Sequence, residues 1–283
     1  MRSPPDARAP GAGTPGNSTI GLDTYRTGPH RTTGVSQPAP RPHPCPFPRE
    51  VLRHLDRLTP PGLILDSFAG TGGIHELANL WRTTVGVELE PEWAVTHPGT
   101  IVGDATALPF PDSTFDAYAS SPCYGNRLAD QCVRPDATTY SYAHSLGRPC
   151  SPGSGAALQW GPEYRDLHRC AIAEIVRVVR PAGAVLVNMK DHTRAGRHVH
   201  VVDWWIDALA AGGVDIHETI EIGGTARGHG FVLHQSTLHE VLIVGERRGP
   251  DAGAGPRPPL DSRTWAAGPP SSLPTSPDGP RGR

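Results

Sequence analysis

Lysine is almost missing from this chain: Lys190 is the single one among 26 basic residues, so nearly every fixed positive charge is an arginine. A guanidinium suits bidentate contact with phosphate, yet with 33 glycines and 32 prolines in 283 residues the arginine bias reads first as a consequence of GC-rich coding. Charge of one sign is missing as well. A net charge of -2 excludes an overall basic field, so any binding of nucleic acid has to come from local patches. The five cysteines, at 45, 123, 132, 150 and 170, contain no C-x-x-C pair and are odd in number, which excludes a zinc ribbon or a disulfide framework and fits reduced thiols in a cytoplasm. No apolar stretch follows a basic amino terminus and no run is long enough to cross a bilayer, so a soluble, cytoplasmic protein without a membrane partner is expected. Apolar residues are scarce too, and 37% is low for a chain folded throughout. The deficit lies at the ends: residues 1–41 and 249–283 are dominated by Pro, Gly, Ser, Thr and Arg, with too little apolar surface to offset the entropy of ordering. One folded domain over residues 42–248, between disordered tails, is the expectation. There are no internal repeats.

Inside that domain short apolar runs alternate with longer amphipathic ones: "LILDSF", "GIHELANLW", "TTVGVEL", "PEWAV", "TIVGD" and "FDAYASS". This β/α rhythm implies a parallel sheet covered by helices on both faces. It breaks over residues 125–161, which are rich in polar, aromatic and turn residues, and a connection of that length in a compact domain is usually functional. It resumes with "EYRDLHRCAIAEIVRVVR", where Leu167, Ile172, Ile175, Val176 and Val179 recur at helical spacing before Pro181 and Gly183. "AVLVNM" then reads as a strand, "VDWWIDALAAGG" as a helix with a glycine stop, and "DIHETIEI" and "LHEVLIVGE" as strands pairing antiparallel at the sheet edge.

"LILDSFAGTGG" places Asp66, Phe68, Ala69, Gly70, Gly72 and Gly73 where a buried strand turns, and glycine there lets a ligand approach the backbone. His75 stands where a dinucleotide fingerprint needs Gly or Ala, which weakens a nicotinamide reading. Glu88 ends the second strand, 88 - 66 = 22 residues after Asp66, at the spacing where a carboxylate accepts from a ribose diol. Asp104, ending the third strand, can accept from an adenine amino group. Three acids at three consecutive strand ends beside a glycine-rich turn point to a nucleoside site.

On these residues the chain resembles the class I S-adenosylmethionine-dependent methyltransferases: "DSFAGTGG" is similar to their FxGxG motif, "VGVELEP" to the ribose-binding strand and "GDATALPFPDSTFDA" to strands three and four. "HPCPFPREVL", residues 43–52, resembles the segment that contacts the methionine end of the cofactor in the DNA-modifying members. The resemblance implies a Rossmann-like α/β fold, doubly wound around a mostly parallel seven-stranded sheet with an antiparallel edge strand, and S-adenosylmethionine as cofactor. "SPCY", residues 121–124, resembles the [D/N/S]-P-P-[Y/F/W] motif of amino-directed DNA methyltransferases, with Cys123 in place of the second proline. "YGNRLAD" and "HSLGR" resemble segments of short phage and actinobacterial DNA methylase-like proteins.

An exocyclic base amine is a poor nucleophile because its lone pair is shared with the ring. Acceptors that hold both N–H groups, here the Ser121 hydroxyl and the Pro122 carbonyl, favour a pyramidal nitrogen whose lone pair can face a methyl donor. Tyr124 offers a flat face for a base flipped out of its stack. The neutral Ser121 reads as an acceptor, with water taking the proton. Cys123 leaves other readings open: a small filler, a sign of lost activity in a protein that only binds the cofactor, or the nucleophile of a C5-cytosine methyltransferase, although the Glu-Asn-Val triplet of that group is lacking. The insertion, with Arg127, Tyr140, Tyr142, His144, Arg148, Trp160, Tyr164 and Arg165, mixes aromatics with arginine as a nucleic-acid-facing loop would. Lys190, Arg194, Arg197, His198 and His200 form a second basic cluster suited to phosphate, and the histidines lack the partner pattern of a closed metal site, so no metal is expected. The segment "GGTARGHGFVLHQS" is a candidate for target choice. The expectation is methylation of N6-adenine or N4-cytosine in DNA, with RNA, a protein or a small molecule as other acceptors on the same platform.

Overall fold

The computed structural model describes residues 43–125, 141–223 and 239–249. Five strands run parallel side by side: β1 (Gly62–Asp66), β2 (Arg82–Glu88), β3 (Thr100–Val102), β4 (Phe115–Ser120) and β5 (Val179–Met189). Past β5 the chain makes a small hairpin, β6 (His192–Arg194) and β7 (Arg197–Val199), and later adds β8 (Val214–Ile222) and β9 (Glu240–Arg247). Because β9 pairs antiparallel with both β5 and β8, the seven-stranded sheet has the order β3-β2-β1-β4-β5-β9-β8. The α/β, doubly wound, mostly parallel sheet expected from the sequence is present, and its antiparallel pair lies at the edge with β9 one place in.

Residue alternation within the strands decides what each face packs against. Ile64, Ala117, Ala119, Ala184, Leu186, Leu242 and Val244 point to one face, and their neighbours Leu65, Tyr118, Val185, Val187 and Ile243 point to the other. The first face is covered by α1 (Arg49–Leu58) and a 3₁₀ turn over Gly73–Leu77; Val51, Leu52 and Leu55 of α1 form its apolar stripe. Pro48 caps the start of α1, Glu50 and Arg57 match the charge at its two ends, and the chain leaves at Thr59 before two prolines. Two short helices follow in the chain, α2 (Pro91–Ala94) and α3 (Tyr142–Leu146). The second face is covered by α4 (Pro162–Val178) and α5 (Val201–Gly212), which bring Ile172, Ile175, Val178, Trp205 and Leu209 into the larger core.

The helix expected over "GIHELANLW" is reduced to that single 3₁₀ turn. Residues 67–81 must turn at the glycines and then regain the length of β1, and extended residues do so at about 3.3 Å each against 1.5 Å in a helix. Among the described residues no helix is long and apolar enough to cross a membrane. Both tails, residues 126–140 of the insertion and all but the first residue of "GGTARGHGFVLHQS" lie outside the described residues.

The parallel strands end at one edge of the sheet, which gathers the loops after Asp66, Glu88, Val102, Ser120 and Met189. β9 runs the other way, so its first residue Glu240 arrives at the same edge; Met189 pairs with Val241. The order reverses between β1 and β4, the crevice where ligands bind in open α/β sheets. Ile64 is fully buried on the α1 face. Ile64→Ala is expected to cost about 2–5 kcal/mol by urea denaturation, while Val102→Ala, at a position 52% exposed on the edge strand, should stay within about 0.5 kcal/mol.

Candidate functional site

Asp66, the last residue of β1, is completely buried, and its Oδ1 accepts from the Phe68 N–H at 2.9 Å and the Ser120 hydroxyl at 2.6 Å. Burial pushes its carboxyl up to about 7; the two hydrogen bonds oppose the rise and the nearby Glu88 charge adds to it. Its Oδ2 is buried with no hydrogen-bond partner among the described residues. The turn that follows needs glycine twice: Gly70 has φ +52°, Gly72 has φ +88°, and a Cβ on Gly70 would stand 3.1 Å from His43 Nε2. The turn folds back on β2, where Gly70 N–H donates to Glu88 Oε2 at 2.8 Å and Ala69 N–H to the Val87 carbonyl at 3.0 Å. Glu88 Oε1 accepts from Glu90 N–H at 2.9 Å, and burial holds the Glu88 carboxyl above the usual carboxylate range. At the end of β3, Asp104 Oδ1 accepts from the backbone N–H and hydroxyl of Thr106.

These residues border a cleft of about 860 Å³, a volume that includes space open to solvent. Phe68, Ala69, Gly70, Glu88 and Asp104 line it together with Ser121 and Cys123; Asp66 lies beneath the turn and Gly72 shapes it without reaching the wall. The opposite wall is the segment His43 to Phe47, which arches over the glycine turn, together with Trp93, Tyr142 and residues 153–156. His43, Trp93 and Tyr142 meet edge to face, with the His43 and Trp93 ring centroids 4.5 Å apart. Burial lowers His43 to about 4, so its ring is neutral at pH 7 and adds no positive charge to the cleft.

The "SPCY" corner is divided. Ser121 faces the cleft, whereas Pro122 and Tyr124 are not among its lining residues. The Tyr124 hydroxyl donates to Glu240 Oε2 at 2.9 Å, lies 3.0 Å from Ser121 Oγ and accepts from Asn188 Nδ2 at 3.0 Å. The fully buried Asn188 also stands with Nδ2 3.1 Å from Ser121 Oγ and 3.1 Å from Glu240 Oε2, so its two N–H groups are shared among three acceptors. Tyr124 is thereby tethered against the core through its hydroxyl. Burial pushes the Cys123 thiol up to about 12; it donates to the Tyr142 hydroxyl and stays protonated at neutral pH, without the thiolate that attack on a pyrimidine ring requires.

Two basic residues expected to meet substrate are engaged within the protein. Arg148 grips Glu92 with Nε at 2.8 Å and Nη2 at 2.6 Å, and Nη2 also reaches Glu90 Oε2 at 2.7 Å. Ser151 N–H and Oγ bind the same Glu90, which is 1% exposed. Arg148 therefore straps the insertion to the start of α2, because a buried carboxylate demands a partner. Lys190 Nζ lies 3.6 Å from Glu240 Oε1. Arg127 lies outside the described residues. Ser120, Asn188 and Glu240 join the site although the sequence reading does not mark them. Ser120 could have been found as the hydroxyl beside Ser121, but nothing local marks Glu240, which the reversed direction of β9 alone brings to the corner.

No family model matches the sequence and no curated protein matches it. Solved structures of similar architecture include a TehB-like SAM-dependent methyltransferase from Corynebacterium glutamicum, 16% identical over 70% of this chain and 88% of that one, with a TM-score of 0.43. Another is the 1,6-didemethyltoxoflavin-N1-methyltransferase of Burkholderia thailandensis with 1,6-didemethyltoxoflavin and S-adenosylhomocysteine bound, 16% identical over 71% of this chain and 77% of that one, TM-score 0.43. The YcgJ protein from Bacillus subtilis is 14% identical over 71% of this chain and 99% of that one, TM-score 0.43.

Proposed function

We propose that this chain is an S-adenosylmethionine-dependent methyltransferase that modifies an exocyclic base amine, N6 of adenine or N4 of cytosine, in DNA. The observation that carries the reading is that Ser121 shares one cleft with Gly70, Glu88 and Asp104. The residues present fit the cofactor. Glu88 and Asp104, both on the cleft wall, offer acceptors for ribose hydroxyls and an adenine amine, and Gly70 leaves the backbone bare there. The neutral His43 does not repel a cation. When bound, S-adenosylmethionine supplies a methyl group on a positively charged sulfur.

The corner's own groups account for the other half of the reaction. Asn188 donates to Ser121 Oγ, and Tyr124 donates to Glu240, so the Ser121 hydroxyl can donate to Tyr124 and keep one lone pair to accept an N–H of the amine. The proton lost by the methylated amine passes to Ser121 Oγ as the serine proton moves to Tyr124 and the tyrosine proton to Glu240. Glu240 is thus the final acceptor, a role the sequence motif leaves to water. Holding the amine in line and fixing these dipoles in advance are the main contributions to rate. A second reading, a small-molecule acceptor, is favoured by the strap of residues 147–157, which brings Gly153, Ser154, Gly155 and Ala156 to the cleft wall and narrows access to it.

Incubation with methyl-labelled cofactor and mixed DNA, followed by mass spectrometry of the nucleosides, is expected to give N6-methyladenine or N4-methylcytosine. Label in 5-methylcytosine, or none in DNA, would reject the base-amine assignment. Ser121→Ala should lower kcat by about 10²–10³-fold, Glu240→Gln should lower kcat with little change in cofactor affinity, and Glu88→Ala should weaken cofactor binding.

Cofactor affinity is also expected to depend on pH. Asp66 is ionised above about 7 and protonated below it. A cationic, donor-rich ligand favours the ionised form, so calorimetric affinity should fall as the pH drops through about 7, by up to about tenfold per unit. Asp66→Asn should flatten that dependence.

A further inference from the structure

Beyond β5 the β6–β7 hairpin turns at Ala195 and Gly196, whose positive φ values of +50° and +73° make a tight reversal. The register pairs Thr193 with His198 and His192 with Val199. Period-two alternation therefore puts His198 and His200 on one side of the hairpin, while His192, Arg194, Arg197 and Val199 share the other. Asp191, just before β6, joins the two histidines. One donor atom from each of Asp191, His198 and His200 lies within 4.8 Å of the others. His198 Nε2 stands 2.8 Å from Asp191 Oδ2, and the two imidazole centroids are 4.5 Å apart.

Two contacts hold these donors in place. The Val202 N–H donates to Asp191 Oδ1 at 2.8 Å, which leaves Oδ2 turned to His198. His200 Nδ1 lies 3.1 Å from Asp203 Oδ2, the carboxylate pairing that orients an imidazole and makes its other nitrogen a better ligand. We propose that Asp191, His198 and His200 form a binding site for a borderline divalent transition-metal ion such as Zn²⁺.

The donor set favours that class. Imidazole with carboxylate suits zinc, cobalt or nickel, whereas calcium and magnesium take oxygen ligands. Donors around a tetrahedral ion with bonds of about 2.1 Å stand about 3.4 Å apart, a spacing the exposed histidines reach by side-chain rotation. The carboxylates of Asp191 and Asp203 offset the ion's charge, and the register puts Arg194 and Arg197 on the other side of the hairpin. Three protein ligands leave a fourth position for water or an anionic oxygen. None of the three lines the cleft, so the site does not depend on the methyl-transfer reading.

The test uses the untagged full chain, titrated with Zn²⁺ by calorimetry and with Co²⁺ by visible absorption. His198 and His200 are exposed, so a His198→Ala, His200→Ala double variant keeps the fold, which circular dichroism checks. The wild-type protein is expected to bind one equivalent of Zn²⁺ more than the double variant, and Asp203→Asn should weaken that equivalent about tenfold. Equal stoichiometry and affinity for Zn²⁺ in the wild type and the double variant would overturn the site.

Discussion

One buried carboxylate joins the two halves of the cleft. Through a single oxygen, Asp66 holds the backbone of the glycine turn at Phe68 and the hydroxyl of Ser120, the residue before the Ser121 corner. The distance between the turn and the acceptor corner is therefore set by hydrogen bonds to one rigid point. That arrangement costs energy, since burial drives Asp66 up to about 7 and its second oxygen has no hydrogen-bond partner among the described residues. Glu88 beside it is a second acid that burial raises above the usual carboxylate range.

The corner itself is assembled from three distant parts of the chain. Ser121 and Tyr124 follow β4, Asn188 lies near the end of β5, and Glu240 opens β9. They meet because β4 and β5 are parallel neighbours while β9 returns antiparallel beside β5, so two strand ends and one strand start share an edge. The same topology places the β6–β7 hairpin at that edge without bringing its histidines into the cleft. The insertion closes the other side through Arg148, whose bidentate hold on Glu92 and contact with the buried Glu90 anchor Tyr142 and residues 153–156 at the cleft wall.

Much of this was legible along the sequence. The β/α rhythm, the glycine turn, the acids at strand ends and the position of "SPCY" depend on spacing of a few residues within one strand and its following loop, and local spacing survives folding. The short 3₁₀ turn over Gly73–Leu77 was not legible, because an apolar pattern cannot tell one turn from a full helix when the connection is short. Arg148, Lys190 and Tyr124 each make an internal contact that the sequence pattern does not announce. Each is a polar or aromatic residue near the site, but whether it faces substrate or a neighbouring carboxylate is decided by residues 50 to 120 positions away.

The sequence by itself determined the class of sheet, the glycine turn and the order of motifs, since these follow from hydrophobic alternation and backbone freedom at particular residues. Tertiary structure alone decided that Glu240 and Asn188 complete the serine corner, that Arg148 serves the strap, and that Asp191 completes the pair of histidines. Those relations rest on strand direction and hairpin register, which bring together side chains that no local pattern connects.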